Sequence, residues 1–207
     1  MKNIIFDWSG VVRDTVTSQL WAVNKIFQKY GVSPIDLEEF RENWEQPYIL
    51  FYQKYLPKDY LEEERARLYK EYALDSGCPK STAYAGMREL IKKLKDAGAF
   101  LAIVSSDLSE TLLPEIREWD LEGVFDKIIT EADDKLAAVQ GLIGENGLTL
   151  DNTCFIGDSN HEIDVAKETG IKSVAVTWGF TSARKLIAKN PDFIAHDSRE
   201  LEVIILK

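Results

Sequence analysis

The chain has 207 residues, of which 45% are hydrophobic and 29% charged, and its formal net charge is −10. This length and composition are typical of a globular protein with a sizeable core, and they exclude a disordered chain. The acidic balance argues against nonspecific nucleic-acid binding, because that requires Lys and Arg side chains to neutralise phosphates. The net negative charge is still compatible with a small anionic substrate, provided that local cations or a metal hold the substrate.

The sequence also restricts the cellular setting. No apolar stretch approaches the roughly 20 residues that span a bilayer, and the N-terminal MKNIIFDW lacks the long apolar region of a signal peptide. Cys78 and Cys154 are the two cysteines, which gives no disulfide framework. We therefore expect a cytoplasmic protein without membrane or nucleic-acid partners, either a monomer or a homodimer.

Short apolar runs alternate with helical patterns over most of the chain. Apolar residues recur at helical spacing in 84–98, after Lys135 and in 160–169. Alternation of strand and helix predicts a doubly wound parallel sheet with helices on both faces, which is an α/β fold. The predicted strands are 3–7, 100–105, 127–130, 153–157, 173–178 and 193–196.

Residues 15–80 interrupt this alternation, because they contain helical patterns and no convincing strand. A helical face that closes at Gly31 is followed by Ser33-Pro34, where we expect the next helix to begin. The many aromatic residues of this segment are expected to pack a small helical bundle, or alternatively one or two of them line a substrate pocket. The predicted organisation is an α/β core at 1–14 and 84–207 with a helical cap inserted at 15–83.

Polar side chains fall at or near the ends of four predicted strands. Asp7 ends the first strand, and Ser105 and Ser106 end the second. Lys135 follows the third strand, and Asp158 follows the fourth. Each signal alone is typical of a turn or a helix cap. Because ligands bind at the carboxyl ends of parallel strands, the joint pattern predicts a site at one edge of the sheet.

This set of residues is suited to phosphoryl transfer. The carboxylates of Asp7 and Asp158 can hold Mg²⁺, a hard cation that favours oxygen ligands. Asp7 can then act as a nucleophile that forms an aspartyl-phosphate. The Ser105 hydroxyl and nearby backbone N–H groups can hold phosphate oxygens, and the Lys135 ammonium can stabilise charge on the transferring group.

Four ordered motifs resemble the haloacid dehalogenase-like hydrolases that carry a helical cap, in the branch of phosphoglycolate phosphatase and β-phosphoglucomutase. Nearly the whole chain takes part in the resemblance. It implies a Mg²⁺-dependent phosphatase acting on a small phosphorylated metabolite, with a doubly wound core. The matching segments are FDWSGVVRDT at 6–15, LAIVSS at 101–106, Lys135 and FIGDSNHEIDVAKETGI at 155–171.

The resemblance also implies roles for individual residues. Asp7 is the expected nucleophile, Ser105 the phosphate-binding hydroxyl and Lys135 the lysine of the third motif. Asp7 and Asp158 are the expected Mg²⁺ ligands, together with the backbone carbonyl of the residue at position 9. We add Ser106 and Gly10 to the expected substrate-binding residues.

Ser9 departs from the family pattern. Phosphatases of the family carry a second Asp there, which protonates the leaving group and then activates the hydrolytic water. A serine hydroxyl is too weakly acidic for this exchange, and loss of a general acid–base group typically costs about 10²–10⁴-fold in rate. The missing carboxylate leaves several interpretations open.

Four interpretations of Ser9 are compatible with the sequence. The substrates have good leaving groups, as acyl or aryl phosphates do, or another residue such as His161 transfers the proton. Alternatively, the enzyme cleaves phosphonates by a Schiff base on Lys54, Lys58 or Lys70, or it is a weak enzyme whose pocket serves phosphate binding or regulation. Dehalogenation is disfavoured because Asp158 and the metal site are retained.

Glu162 is the second departure, because the family often has Asp at this position. Its side chain is longer by one methylene, so it could reach the Mg²⁺ shell through water or orient Lys135. Alternatively, Ser159 and Glu162 form an S-x-x-E capping box and only cap a helix. A receiver domain also places acidic residues, a hydroxyl and a lysine around an Asp, but it has no place for an insertion of this length after the first strand.

Overall fold

A computed structural model describes residues 1–45 and 48–206. The chain divides into two compact units. The first comprises Met1–Arg13 and Ala83–Lys207, and the second comprises Asp14–Thr82. The strands, in chain order, are β1 Asn3–Phe6, β2 Arg13–Asp14, β3 Thr82–Ala83, β4 Phe100–Val104, β5 Lys127–Ile129, β6 Thr153–Gly157, β7 Lys172–Val176 and β8 Phe193–Ala195.

Helices lie between most of the strands. A 3-10 helix, Leu150–Asn152, precedes β6. The α-helices, in chain order, are α1 Val16–Lys29, α2 Leu37–Asn43, α3 Ile49–Gln53, α4 Glu62–Ala73, α5 Met87–Asp96, α6 Ser109–Glu118, α7 Lys135–Asn146, α8 Asn160–Thr169, α9 Ala183–Ala188 and α10 Ser198–Leu206. Among the described residues, no helix combines the length and apolarity needed to cross a membrane.

The first unit is built on a parallel sheet. Its described strands follow the order β5-β4-β1-β6-β7-β8, and each neighbouring pair is parallel. The chain runs outward from β1 in both directions, so β1, between β4 and β6, marks the point where strand order reverses. In such sheets the carboxyl ends at this point form the ligand-binding crevice. The short strands β2 and β3, where the chain passes between the units, form a separate two-stranded sheet.

Both faces of this sheet are covered by helices. Successive side chains of a strand point to opposite faces, and Ile4, Ile5 and Phe6 of β1 are fully buried. Ile4 packs in one core cluster with Leu90 of α5, whereas Ile5 packs in another with Val139 of α7. Burial on both faces explains why the strands are continuous apolar runs. The predicted doubly wound α/β fold is confirmed.

Element boundaries differ in detail from the sequence-based expectations. Each predicted strand is present, and its ends lie within two residues of the predicted ones. The prediction that a helix begins at Ser33-Pro34 is wrong, because α2 begins at Leu37. The Asp36 carboxylate accepts the backbone N–H of Glu39 at 2.8 Å, so Asp36 caps this helix and fixes its start.

The second unit is helical and has an aromatic core. Phe27 of α1 and Phe51 of α3 are fully buried, and their rings stack with centroids 6.1 Å apart. Tyr52 is also buried, with its ring edge-on to that of Phe27. These contacts agree with the expectation that aromatic residues pack a small bundle. Tyr48, by contrast, is 49% exposed.

Candidate active site

The loop after β1 delivers a carboxylate to the carboxyl edge of the sheet. Asp7 directly follows β1, and its backbone N–H extends the ladder by donating to the carbonyl of Ile156 at 3.0 Å. Its Oδ1 accepts the backbone N–H of Trp8 at 2.8 Å. The Trp8 indole donates to Glu115 at 2.9 Å and stacks on Trp119, which anchors the loop. Asp7 is therefore buried on a firmly held backbone.

Lys135 joins Asp7 to a second carboxylate. As the first residue of α7, it places Nζ 2.9 Å from Asp7 Oδ2 and 2.7 Å from Glu162 Oε1. Burial alone would lower the pKa of this ammonium, but the two carboxylates outweigh burial and the pKa is raised. The lysine is therefore cationic in the buried site.

Glu162 makes two of the contacts that the sequence presented as alternatives. Its Oε2 accepts the backbone N–H and the hydroxyl of Ser159, at 3.1 and 2.6 Å, which completes a capping box at the start of α8. Its Oε1 accepts from Lys135. Burial opposes ionisation, but Lys135 and these hydrogen bonds lower the pKa of Glu162 to about 2. Helix capping and orientation of the lysine are thus combined in one side chain.

Asp158 follows β6 and is tightly enclosed. Its Oδ2 accepts the backbone N–H of Phe180 at 2.6 Å. Gly10 and Gly179 border the carboxylate so closely that a Cβ at either position would overlap Oδ2. Gly10 also has φ +83°, a conformation that favours glycine. Substrate binding by Gly10 stays a prediction. The structure shows in addition that Gly10 packs against the Asp158 carboxylate.

Three buried carboxylates come together at this edge of the sheet. Asp7, Asp158 and Glu162 each offer one oxygen, and these atoms lie within 4.8 Å of one another. Burial, with repulsion from the neighbouring carboxylates, raises the pKa of Asp7 to about 6 and raises that of Asp158 well above its ordinary value. Because Lys135 balances at most one of the three charges, the cluster favours a further cation. The oxygen donors fit a hard divalent metal ion.

Ser105 lies beside the Asp7 loop. It is buried directly after β4, and the register that pairs Phe6 with Ile103 brings the ends of β1 and β4 together. The Ser105 hydroxyl donates to Asp107 Oδ2 at 2.9 Å. The expected phosphate-binding hydroxyl is therefore at the predicted edge of the sheet.

Asp107 is a site residue that no sequence motif singled out. Its Oδ2 accepts the Ser9 hydroxyl at 2.7 Å as well as that of Ser105, and its Oδ1 lies 3.5 Å from Arg13 Nη1. An aspartate in a loop after a strand is typical of a turn, which hid it in the sequence. The run Ser105-Ser106-Asp107 directly after an apolar strand was the available signal.

Two predicted residues, Ser106 and His161, are exposed, whereas the three carboxylates are buried. Ser106 is exposed, and its hydroxyl donates to the carbonyl of Ala132 at 3.0 Å. His161 is exposed, and its backbone N–H donates to the Ser159 hydroxyl at 3.1 Å. The roles predicted for Ser106 in substrate binding and for His161 in proton transfer stay predictions.

The family model for "Haloacid dehalogenase-like hydrolase" matches residues 4–176. The chain therefore belongs to the haloacid dehalogenase-like hydrolases, as its motifs predicted. It is 24% identical to a phosphoglycolate phosphatase of Synechococcus elongatus over 97% of this chain and 95% of that protein. It is 26% identical to one from Aliivibrio fischeri, with 99% and 96% covered.

A solved structure shows the same fold. A haloacid dehalogenase-like hydrolase of Streptococcus pneumoniae superposes with a TM-score of 0.79, covering 100% of this chain and 98% of that one. The two sequences are 24% identical. This chain therefore shares the fold of that solved hydrolase.

Proposed function

We propose that the protein is a Mg²⁺-dependent phosphatase that hydrolyses a small phosphorylated metabolite through an aspartyl-phosphate on Asp7. The observation that carries this proposal is the buried Asp7 carboxylate, 2.9 Å from Lys135 and grouped with Asp158 and Glu162. The phosphoglycolate phosphatases among its relatives support a phosphate ester as the substrate class.

Asp7, Asp158 and the backbone carbonyl of Ser9 are the proposed Mg²⁺ ligands. When bound, the ion supplies positive charge that offsets repulsion between Asp7 and an anionic phosphate. Glu162 keeps Lys135 directed at Asp7, because one oxygen holds the ammonium and the other is fixed by the helix cap. This arrangement prepares the nucleophile before substrate arrives.

Each step of the proposed reaction uses particular side chains of this protein. An Asp7 oxygen attacks phosphorus, and the bond from phosphorus to the leaving oxygen breaks. Water then attacks the aspartyl-phosphate, which releases inorganic phosphate and restores the Asp7 carboxylate. Lys135 stabilises charge on the transferring group, and Ser105 holds phosphoryl oxygens, with Ser106 and Gly10 proposed to adjoin them. We propose that the helical unit is the cap that selects the substrate.

The test is a phosphate-release screen over phosphomonoesters, acyl phosphates and phosphonates, with and without Mg²⁺. Wild type is compared with Asp7→Asn and with Asp120→Asn, a matched control whose side chain is 83% exposed. We expect Mg²⁺-dependent turnover that Asp7→Asn abolishes and Asp120→Asn retains. Phosphate binding without turnover on any class would instead favour a phosphate-binding or regulatory protein.

A further inference from the structure

We propose that the Asp107 carboxylate is an internal anion that competes with phosphate for two serine hydroxyls, an inference that rests on the proposed phosphatase function. In that function the Ser105 hydroxyl holds a phosphoryl oxygen. In the structure this hydroxyl donates to Asp107 Oδ2 at 2.9 Å. The contact therefore limits how tightly the site holds a phosphate anion, which is both the reacting group of the substrate and the released product.

Asp107 Oδ2 accepts the hydrogens of both serine hydroxyls. The Ser9 hydroxyl donates to this oxygen at 2.7 Å, in addition to that of Ser105. An ionised carboxylate only accepts hydrogen bonds, which matches these two donors. A serine hydroxyl has one hydrogen to donate, so each serine can serve either the carboxylate or a phosphoryl oxygen. The carboxylate oxygen thus takes the contact by which Ser105 would hold phosphate.

The two anions exclude each other at the serines. Because each would lie about 3 Å from the same hydroxyl oxygen, the carboxylate oxygen and a phosphoryl oxygen would be at most about 6 Å apart. Like charges at this separation repel, and they do so more strongly beside a buried residue such as Ser105 than in water. Phosphate must therefore displace the Asp107 side chain.

Arg13 offers the displaced carboxylate a second partner. Its Nη1 lies 3.5 Å from Asp107 Oδ1, beyond the range of about 2.7–2.9 Å for a direct charge-assisted hydrogen bond. The ion pair can therefore tighten when the carboxylate turns away from the serines. Arg13 Nε lies 2.9 Å from Glu115 Oε1, and this second ion pair keeps the guanidinium beside Asp107.

Rotation of the Asp107 side chain is sufficient for this exchange of partners. The Asp107 carbonyl accepts the backbone N–H of Glu131 at 2.9 Å, and its own N–H donates to the Ser105 hydroxyl oxygen at 3.2 Å. These contacts fix the main chain. The side chain is 20% exposed, so solvent borders it and leaves room for it to turn.

The exchange acts mainly on the release of inorganic phosphate. Free phosphate is held through its own oxygens alone, whereas a substrate gains further binding energy from its organic part. The return of Asp107 to the serines therefore opposes retention of the product more than binding of the substrate. Asp107 favours phosphate esters over free phosphate in this way.

A purely structural role of Asp107 predicts the opposite effect of its neutralisation. If the carboxylate only orients the two hydroxyls, Asp107→Asn leaves them less ordered and weakens phosphate binding. If it competes with phosphate, Asp107→Asn removes the repulsion and strengthens phosphate binding. The sign of the change in phosphate affinity separates the two roles.

The experiment is a calorimetric titration of inorganic phosphate, with Mg²⁺ present, into wild type, Asp107→Asn and the control Asp120→Asn. The Asp120 side chain is 83% exposed and contacts Lys92. We expect Asp107→Asn to bind phosphate about tenfold or more tightly than wild type, because one negative charge beside the anion is removed. Asp107→Ala, a second neutral variant, should show the same direction, and Asp120→Asn should match wild type. Phosphate affinity in both Asp107 variants equal to or weaker than that of wild type would overturn the proposal.

Arg13 variants test the exchange of partners. Arg13→Gln removes the cation that draws Asp107 away from the serines, and we expect it to weaken phosphate binding about two- to fivefold. In the Asp107→Asn background the same change should have a smaller effect, because the neutral side chain forms no ion pair. An equal effect in both backgrounds would contradict the exchange.

The binding measurement is independent of turnover, which separates this proposal from the phosphatase function. Unchanged phosphate affinity in Asp107→Asn, together with Asp7-dependent phosphate release in wild type, would overturn the role of Asp107 alone. Absence of that release would overturn the phosphatase function itself. Thermal unfolding midpoints with and without phosphate show that each variant is folded and report its binding a second time.

Discussion

Lys135 Nζ and Glu162 Oε1 lie 2.7 Å apart, so the first residue of α7 and the first turn of α8 are joined by a buried ion pair. The same ammonium lies 2.9 Å from Asp7 Oδ2. Charges removed from water are stable only when paired, because their lost hydration is otherwise uncompensated. The three side chains therefore act as one unit in stability and in catalysis.

Removal of the lysine tests this unit. Lys135→Met leaves two buried carboxylates without their cation, and we expect it to destabilise the protein by about 3–5 kcal/mol. We expect the further change Glu162→Gln to recover part of this loss, with a coupling of about 0.5–3 kcal/mol between the two changes. Urea unfolding of both single variants and the double variant measures the coupling, and strict additivity would contradict the paired arrangement.

Two glycines give a matched test of the Asp158 environment. Gly10 and Gly98 have φ of +83° and +81°, so alanine costs a similar strain at each, about 1–2 kcal/mol. The new Cβ overlaps Asp158 Oδ2 at position 10 but meets open space at position 98. We expect Gly10→Ala to weaken Mg²⁺ binding about 10–100-fold by calorimetry, whereas Gly98→Ala leaves it unchanged. Equal affinities would show that Asp158 is not a metal ligand.

Metal binding should be visible in stability. Mg²⁺ that binds the folded protein stabilises it by about 2.7 kcal/mol at a concentration of 100 times Kd. We expect wild type to show a higher thermal unfolding midpoint in Mg²⁺ than in chelator. Asp158→Asn should lose this response, yet unfold at a higher temperature than wild type in chelator, because it removes a carboxyl group whose ionisation is opposed by burial and by the neighbouring carboxylates. A full Mg²⁺ response in Asp158→Asn would exclude Asp158 from the site.

Sequence patterns predicted the fold because they arise from local physics. A strand buried on both faces must be apolar throughout, and β1 shows this in Ile4, Ile5 and Phe6. The location of the site was predicted from the rule that ligands bind at the carboxyl ends of such strands. The start of α2 was mispredicted because the Asp36 cap, rather than the proline before it, fixes that boundary.

Contacts between distant segments could not be predicted in this way. The S-x-x-E pattern indicated that Glu162 caps a helix, whereas its pairing with Lys135 spans 27 positions, has no local signature and was one of several interpretations drawn from the family resemblance. Asp107 escaped notice for the same reason, because its partner Ser9 lies 98 positions away. Distant side chains of this kind come together because of the register of the strands in the sheet. That register cannot be read from a single sequence.

The most direct measurement of the central claim is the identity of the phosphorylated residue during turnover. Enzyme mixed with an acyl phosphate and Mg²⁺ is quenched within one turnover, digested and sequenced by mass spectrometry. The proposed mechanism predicts a phosphoryl group on Asp7 that disappears in chelator and in Asp7→Asn. Turnover that persists in Asp7→Asn, or a phosphoryl group on a different residue, would contradict it.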